Sequence, residues 1–114
     1  MSDDEQLDDI VDLLADEYAR LILRAISVEP LSAGELSQKC DMSPPTVYRR
    51  LERLQDLELV DARQRIDPDG HHSKEYAAAL SGIQISLENG IYEFDVERTK
   101  QDAADRFTTL IEDL

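Results

Sequence analysis

A chain of 114 residues has room for one domain with a modest core. Its formal charge of −14, 5 % aromatic content and lack of Trp leave Leu, Ile, Val and Ala to build that core. No run approaches the ~20 apolar residues of a membrane helix, and an acidic N-terminus is the reverse of a signal peptide's basic one, so a cytoplasmic location is expected.

In chain order, residues 1–6 are polar and aperiodic and are expected to fray. From Leu7 onward Leu7, Ile10, Val11, Leu14, Tyr18, Leu21, Ile22, Ala25 and Ile26 recur every three or four positions, the stripe of an amphipathic helix. Asp16 is placed to cap a second piece and split this run, which Pro30 ends. Ser32 and Glu35 form a capping box opening a short helix through Lys39, with Leu36 and Cys40 facing inward. Asp41 stands at a sharp turn and tolerates left-handed backbone. Ser43 then caps a third helix that starts at Pro44 and runs to Leu57.

In this third helix Val47, Leu51 and Leu54 form the inward stripe. At 100° per residue the opposite arc centres on Pro45 and Arg49, flanked by Thr46 and Arg53 on one side and Tyr48 and Glu52 on the other. Leu59 to Ile66 reads as a strand, Asp67 to Gly70 as a turn and Lys74 to Leu80 as the returning strand. Arg63, Arg65, His71, His72 and Lys74 lie near the tip of this hairpin. A second hairpin follows, and a two-residue Asn89-Gly90 turn fixes its register as Leu87 with Tyr92, Ile85 with Phe94 and Ile83 with Val96, all on one face. Thr99 and Asp102 suggest the cap of a last helix, with Ala103, Phe107, Leu110, Ile111 and Leu114 as its stripe.

Charge is unevenly spread along this order. Lys39 to Glu75 holds seven basic and eight acidic side chains, while the rest of the chain carries −13. A middle third cleared of net charge suits approach to a polyanion. The chemistry of an enzyme is missing: no nucleophile is placed beside a base and no Gly-rich phosphate loop occurs. Cys40 is the single cysteine, which excludes an internal disulfide and a four-thiolate zinc site. His71 and His72 are adjacent and cannot face one way on a strand, so neither metal nor cofactor is expected.

Two helices joined by a tight turn, a polar outward arc and a basic-tipped hairpin together make an α+β winged helix-turn-helix. The run from Leu36 to Leu51, with Thr46-Val47-Tyr48-Arg49-Arg50-Leu51 followed by the strand start Leu59-Val60, resembles the DNA-binding core of ArsR-like regulators over roughly Asp16 to Leu80. Asp outnumbers Glu, and Lys occurs only at positions 39, 74 and 100, which looks most like the haloarchaeal members; an ordinary acidic regulator is the other reading of that composition. The resemblance implies a homodimeric transcription factor, usually a repressor, on a pseudopalindromic operator in double-stranded DNA. The paired cysteines or His/Asp sets of the family's metal sensors are missing, and the hairpin from Ile83 to Val96 extends beyond the minimal fold.

The expected units are residues 7–80 as the DNA-binding part and 81–114 as a hairpin plus helix joining the same domain and a subunit contact. Arg49 is the expected base reader, since a guanidinium matches guanine O6 and N7; pairing with Glu52 or Glu58 is its alternative. Ser43, Pro45, Thr46 and Tyr48 share the DNA-facing surface, with Thr46 and Tyr48 suited to a thymine methyl or a phosphate. Arg50 and Arg53 suit phosphate, or else salt bridges on the helix surface. Arg63, Arg65, His72 and Lys74 on the wing suit phosphate or the minor groove. Leu7, Ile10, Val11 and Leu14, with Phe107, Leu110, Ile111 and Leu114, are expected to meet across a two-fold axis, or else to pack within one chain. Cys40 reads as an inert core thiol, with a redox switch beside the turn as the alternative. Surface carboxylates are expected to hold cations at high salt, and a winged helix serving only protein contact is the rival function.

Overall fold

The computed structural model describes residues 3–99. Four helices come first, interrupted by one short strand: α1 (Asp3–Ala15), α2 (Glu17–Val28), β1 (Leu31–Ser32), α3 (Ala33–Lys39) and α4 (Pro44–Asp56). Two hairpins follow, β2 (Val60–Ile66) with β3 (His72–Ala78), and β4 (Leu80–Glu88) with β5 (Ile91–Arg98). The expected last helix, with Asp102 and the stripe from Ala103 to Leu114, lies outside the described residues.

Local chemistry sets the helix boundaries. α1 begins at Asp3, inside the stretch expected to fray. The break between α1 and α2 falls at Asp16, whose backbone is extended and whose Oδ1 accepts the Tyr18 amide hydrogen at 2.9 Å. At α3 the capping box closes in both directions: Ser32 Oγ accepts from the Glu35 amide at 3.1 Å, and Glu35 Oε1 accepts from the Ser32 amide at 2.8 Å. Asp41 then turns the chain with φ of 53°, and Ser43 caps α4 by accepting from the Thr46 amide at 3.4 Å. With Pro44 at the first position, no amide hydrogen is wasted there.

Leu13 of α1, Ile22 and Ile26 of α2, Leu36 of α3, and Val47, Leu51 and Leu54 of α4 are all fully or almost fully buried. Each such side chain contributes about 1.5–3 kcal/mol by leaving water, and Leu59 and Tyr76 close the cluster from the sheet side.

The first sheet has the order β1-β3-β2, antiparallel throughout. β1 is only two residues, pairing Leu31 with Tyr76 and Ser32 with Glu75; so short a strand carries no alternation that would mark it in the sequence. β3 spans His72–Ala78, ending two residues short of the expected Leu80. The amides of Ala79 and Leu80 both donate to the Leu59 carbonyl, at 2.9 and 3.2 Å, which ends the ladder and hands Leu80 to β4. The second hairpin has the register derived from its Asn89-Gly90 turn, with Ile83, Ile85 and Leu87 opposite Val96, Phe94 and Tyr92. Arg98 ties its base to the end of α4, donating from Nη2 to the Leu57 carbonyl at 2.8 Å and from Nε to the Glu58 carbonyl at 3.0 Å. Both carbonyls lie just past the last residue of α4, where no helical amide follows to bond them.

Candidate nucleic-acid interface

Burial of Val47, Leu51 and Leu54 forces the other side of α4 outward. Pro45, Tyr48, Arg49 and Arg53 are exposed and Thr46 is half-buried. Arg49 and Arg53 are four positions apart and so stand one above the other on a single arc. Neither forms an ion pair among the described residues; the alternative partners Glu52 and Glu58 do not engage Arg49. Ser43 and Thr46 sit at the start of the arc with their hydroxyls 2.9 Å apart, so Ser43 is primarily a cap.

Arg50 points elsewhere. It lies between the buried stripe and the exposed arc, where α2 packs, and its Nε donates to Asp16 Oδ2 at 2.8 Å. Its guanidinium also stands 5.4 Å from the Tyr18 ring centroid. Burial pushes the Asp16 carboxyl up, but the Arg50 hydrogen bond, the Tyr18 amide and the Arg50 charge together hold it below its ordinary value. Of the two expectations for Arg50, a phosphate contact or a salt bridge on the helix surface, these contacts fit the second: its charge joins two helices.

The hairpin β2–β3 holds two further arginines in ion pairs. Arg63 lies directly opposite Glu75 in the ladder, and its Nε donates to Glu75 Oε1 at 2.7 Å. Arg65 donates from Nε to Asp67 Oδ1 at 3.0 Å and from Nη1 to Glu35 Oε1 at 3.2 Å, with Glu75 Oε2 at 3.5 Å. Burial pulls the Arg65 pKa down, but the bond to Glu35 and the charges of Glu35, Asp67 and Glu75 raise it overall. Glu35 is lowered, first by the Ser32 amide and also by Arg65 against the opposing effect of burial. Both arginines thus have acidic partners inside the chain, and Arg65 staples the hairpin to the capping box of α3. The signal lay in the register, since the Asp67–Gly70 turn sets Arg63 against Glu75.

Lys74 and His72 on β3 are exposed and have no ion pair among the described residues. Between them and α4 runs an open groove of about 610 Å³, lined in part by Tyr48, Glu52, Gln55, His72, Lys74 and Tyr76. His71 is engaged at the tip, where its Nδ1 lies 2.8 Å from Asp69 Oδ2.

Residues 14–63 match the model of a family described as a helix-turn-helix domain. The structure of reduced HlyU from Vibrio cholerae N16961 is similar, with a TM-score of 0.55 and 23 % identity over 66 % of this chain and 74 % of that one. This is a winged helix-turn-helix fold. No curated protein matches at a significant level.

In the winged helix-turn-helix, α3 and α4 are the paired helices, Asp41 lies in their turn, α4 holds the recognition position and β2–β3 is the wing. Cys40 caps α3 half-buried, with Sγ 3.9 Å from the Leu21 carbonyl, and burial pushes its thiol up despite the nearby Lys39 charge. That keeps it protonated and weakly nucleophilic. On α1, Ile10 is fully buried in its own chain, Leu14 packs partly against the core, Leu7 is half-buried, and Val11 is 45 % exposed. Of the residues expected at a subunit contact, Ile10 is thus already covered within one chain. Among the described residues no helix is long and apolar enough to cross a membrane, and no group of three or more His, Cys, Asp or Glu is arranged to hold a metal.

Proposed function

We propose that this chain is a sequence-specific DNA-binding transcription regulator, acting as a homodimer with α4 in the major groove and the wing beside the phosphate backbone. One observation carries this: Arg49 and Arg53 are exposed on α4 and form no ion pair among the described residues. In a chain of charge −14, two arginines on one exposed arc with no ion pair among the described residues fit an external anion as their partner. Arg49 reads guanine through its two-pronged donor face. Arg53 holds phosphate, and Thr46 and Tyr48 meet a thymine methyl or a phosphate. On the wing, Lys74 and His72 take the phosphate role expected of four residues, because Arg63 and Arg65 are held by carboxylates.

Occupying a promoter by this geometry blocks polymerase, so repression is the simplest output. The negative charge favours a rival reading, an adaptor that binds only protein. At molar salt the Debye length is ~3 Å, so distant carboxylates no longer oppose DNA while close arginine contacts survive. Cations held between surface carboxylates and phosphates then take the place of ordinary counterion release. Retention on mixed-sequence duplex DNA tests the reading: it is expected to be lost in Arg49→Ala/Arg53→Ala with the helical spectrum unchanged. Equal retention of the variant and the parent chain favours the adaptor.

A further inference from the structure

Lys39 to Glu75 carries eight acidic side chains, and most have a task within the chain. Asp67, Asp69 and Glu75 engage Arg65, His71 and Arg63, while Asp41 and Glu58 stand at left-handed turns. Glu52 is different. It lies within α4 and is exposed, and its carboxylate makes no hydrogen bond or ion pair among the described residues. Arg49 stands three positions before it, a spacing at which opposite charges on a helix ordinarily meet, yet the two do not pair. On its other side Glu52 lines the groove between α4 and β3, together with Tyr48, His72 and Lys74.

A carboxylate in this place has a cost. At 100° per residue Glu52 lies about 60° around the helix from Arg49, so it approaches any duplex that Arg49 approaches. Toward phosphate it is repulsive and weakens the general attraction of protein to DNA. It gains only where the duplex offers a hydrogen-bond donor. Base edges in the major groove offer two, the amino groups at cytosine N4 and adenine N6. Adenine sets the acceptor N7 beside its amino group, and an ionised carboxylate can only accept. Cytosine carries no such acceptor on its own major-groove edge.

We propose that Glu52 reads cytosine in the base pair next to the guanine read by Arg49, its carboxylate accepting from the N4 amino group. This rests on the reading of α4 as the recognition helix and adds a second base to it. The rise from residue 49 to residue 52 is about 4.5 Å, close to the step of about 3.4 Å between base pairs, so neighbouring pairs are in reach. Where another base stands, the carboxylate is left among acceptors and phosphates. Glu52 thus sharpens selectivity by penalising wrong sites as well as by rewarding the right one.

Binding-site selection from a random double-stranded pool, with the parent chain, Glu52→Gln and Glu52→Ala in parallel, tests the assignment. Gln and Ala both suit an exposed helical position, so the helical spectrum is expected to match the parent's. The parent should select a cytosine one base pair from the guanine that Arg49→Ala relaxes, preferred about fivefold or more over other bases. Glu52→Gln should replace that cytosine by adenine, because an amide presents the donor and acceptor that match adenine N7 and N6. Glu52→Ala should tolerate any base there and bind mixed-sequence duplex roughly two- to fivefold more tightly, the scale of one exposed charge pair. A motif that keeps its cytosine in both variants overturns the role of Glu52 and leaves that of Arg49 standing. No enrichment by the parent chain overturns it together with the reading of α4.

Discussion

The Arg50 guanidinium lies 2.8 Å from the Asp16 carboxylate, and the other oxygen of that carboxylate caps α2. One side chain therefore sets the bend between α1 and α2 and fixes the recognition helix against it.

Asp16→Ala is expected to cost about 2–3 kcal/mol in urea unfolding. Loss of the cap alone costs about 1 kcal/mol, and the rest comes from stranding Arg50, since both partners are less than a quarter exposed. Because the folded carboxyl titrates below its ordinary 3.8, its contribution is complete above that value and is lost as pH falls through the lower folded pKa. Asp16→Asn is expected to remove that part of the acid dependence. A stability difference between Asp16→Asn and the parent chain that does not shrink with acidification contradicts the assignment.

Glu75 is only 6 % exposed and faces two wing arginines. Glu75→Gln should lower stability by about 1–2 kcal/mol, discounted because Arg63 is well exposed to solvent. The same change releases positive charge on the wing, so DNA affinity at low salt is expected to rise. Fluorescence anisotropy on a labelled duplex measures it, and weaker binding by a folded variant would show that the wing's ion pairs serve to shape it for DNA.

Salt dependence tests the proposed uptake of cations. With 12 Lys and Arg against 26 Asp and Glu, affinity is expected to hold or rise with KCl toward molar concentration. An ordinary steep decline, near −0.9 in log–log slope for each phosphate contact, rejects cation uptake.

Val11 is the large apolar side chain of α1 that the chain itself leaves most open. Sedimentation at molar salt should show a dimer, and Val11→Asp should yield a monomer with the same helical content. A monomeric parent chain at micromolar concentration removes the two-fold arrangement.

The features legible in the sequence are those whose partners lie close by. The Ser32–Glu35 box, the caps at Asp16 and Ser43, the turn at Asp41 and the Asn89-Gly90 register each depend on residues a few positions apart. The buried stripe of α4 was readable for the same reason. Arg50 and Asp16 are 34 positions apart, and Arg65 and Glu35 are 30 apart; no local pattern marks such pairs. Composition could count arginines but could not say which were already neutralised. Tyr18 shows the same limit: it falls on the apolar stripe, yet it is exposed and its ring meets the Arg50 guanidinium.

The most direct measurement is selection of binding sites from a random double-stranded DNA pool at molar KCl, run in parallel with the parent chain and Arg49→Ala. A pseudopalindrome with half-sites about one helical turn apart is expected for the parent. Arg49→Ala should relax one guanine in each half and lose roughly 5- to 150-fold in affinity for the selected site, the 1–3 kcal/mol of one two-pronged base contact. A pool that shows no enrichment, or the same motif at the same affinity without Arg49, contradicts the assignment of α4 as the reading helix.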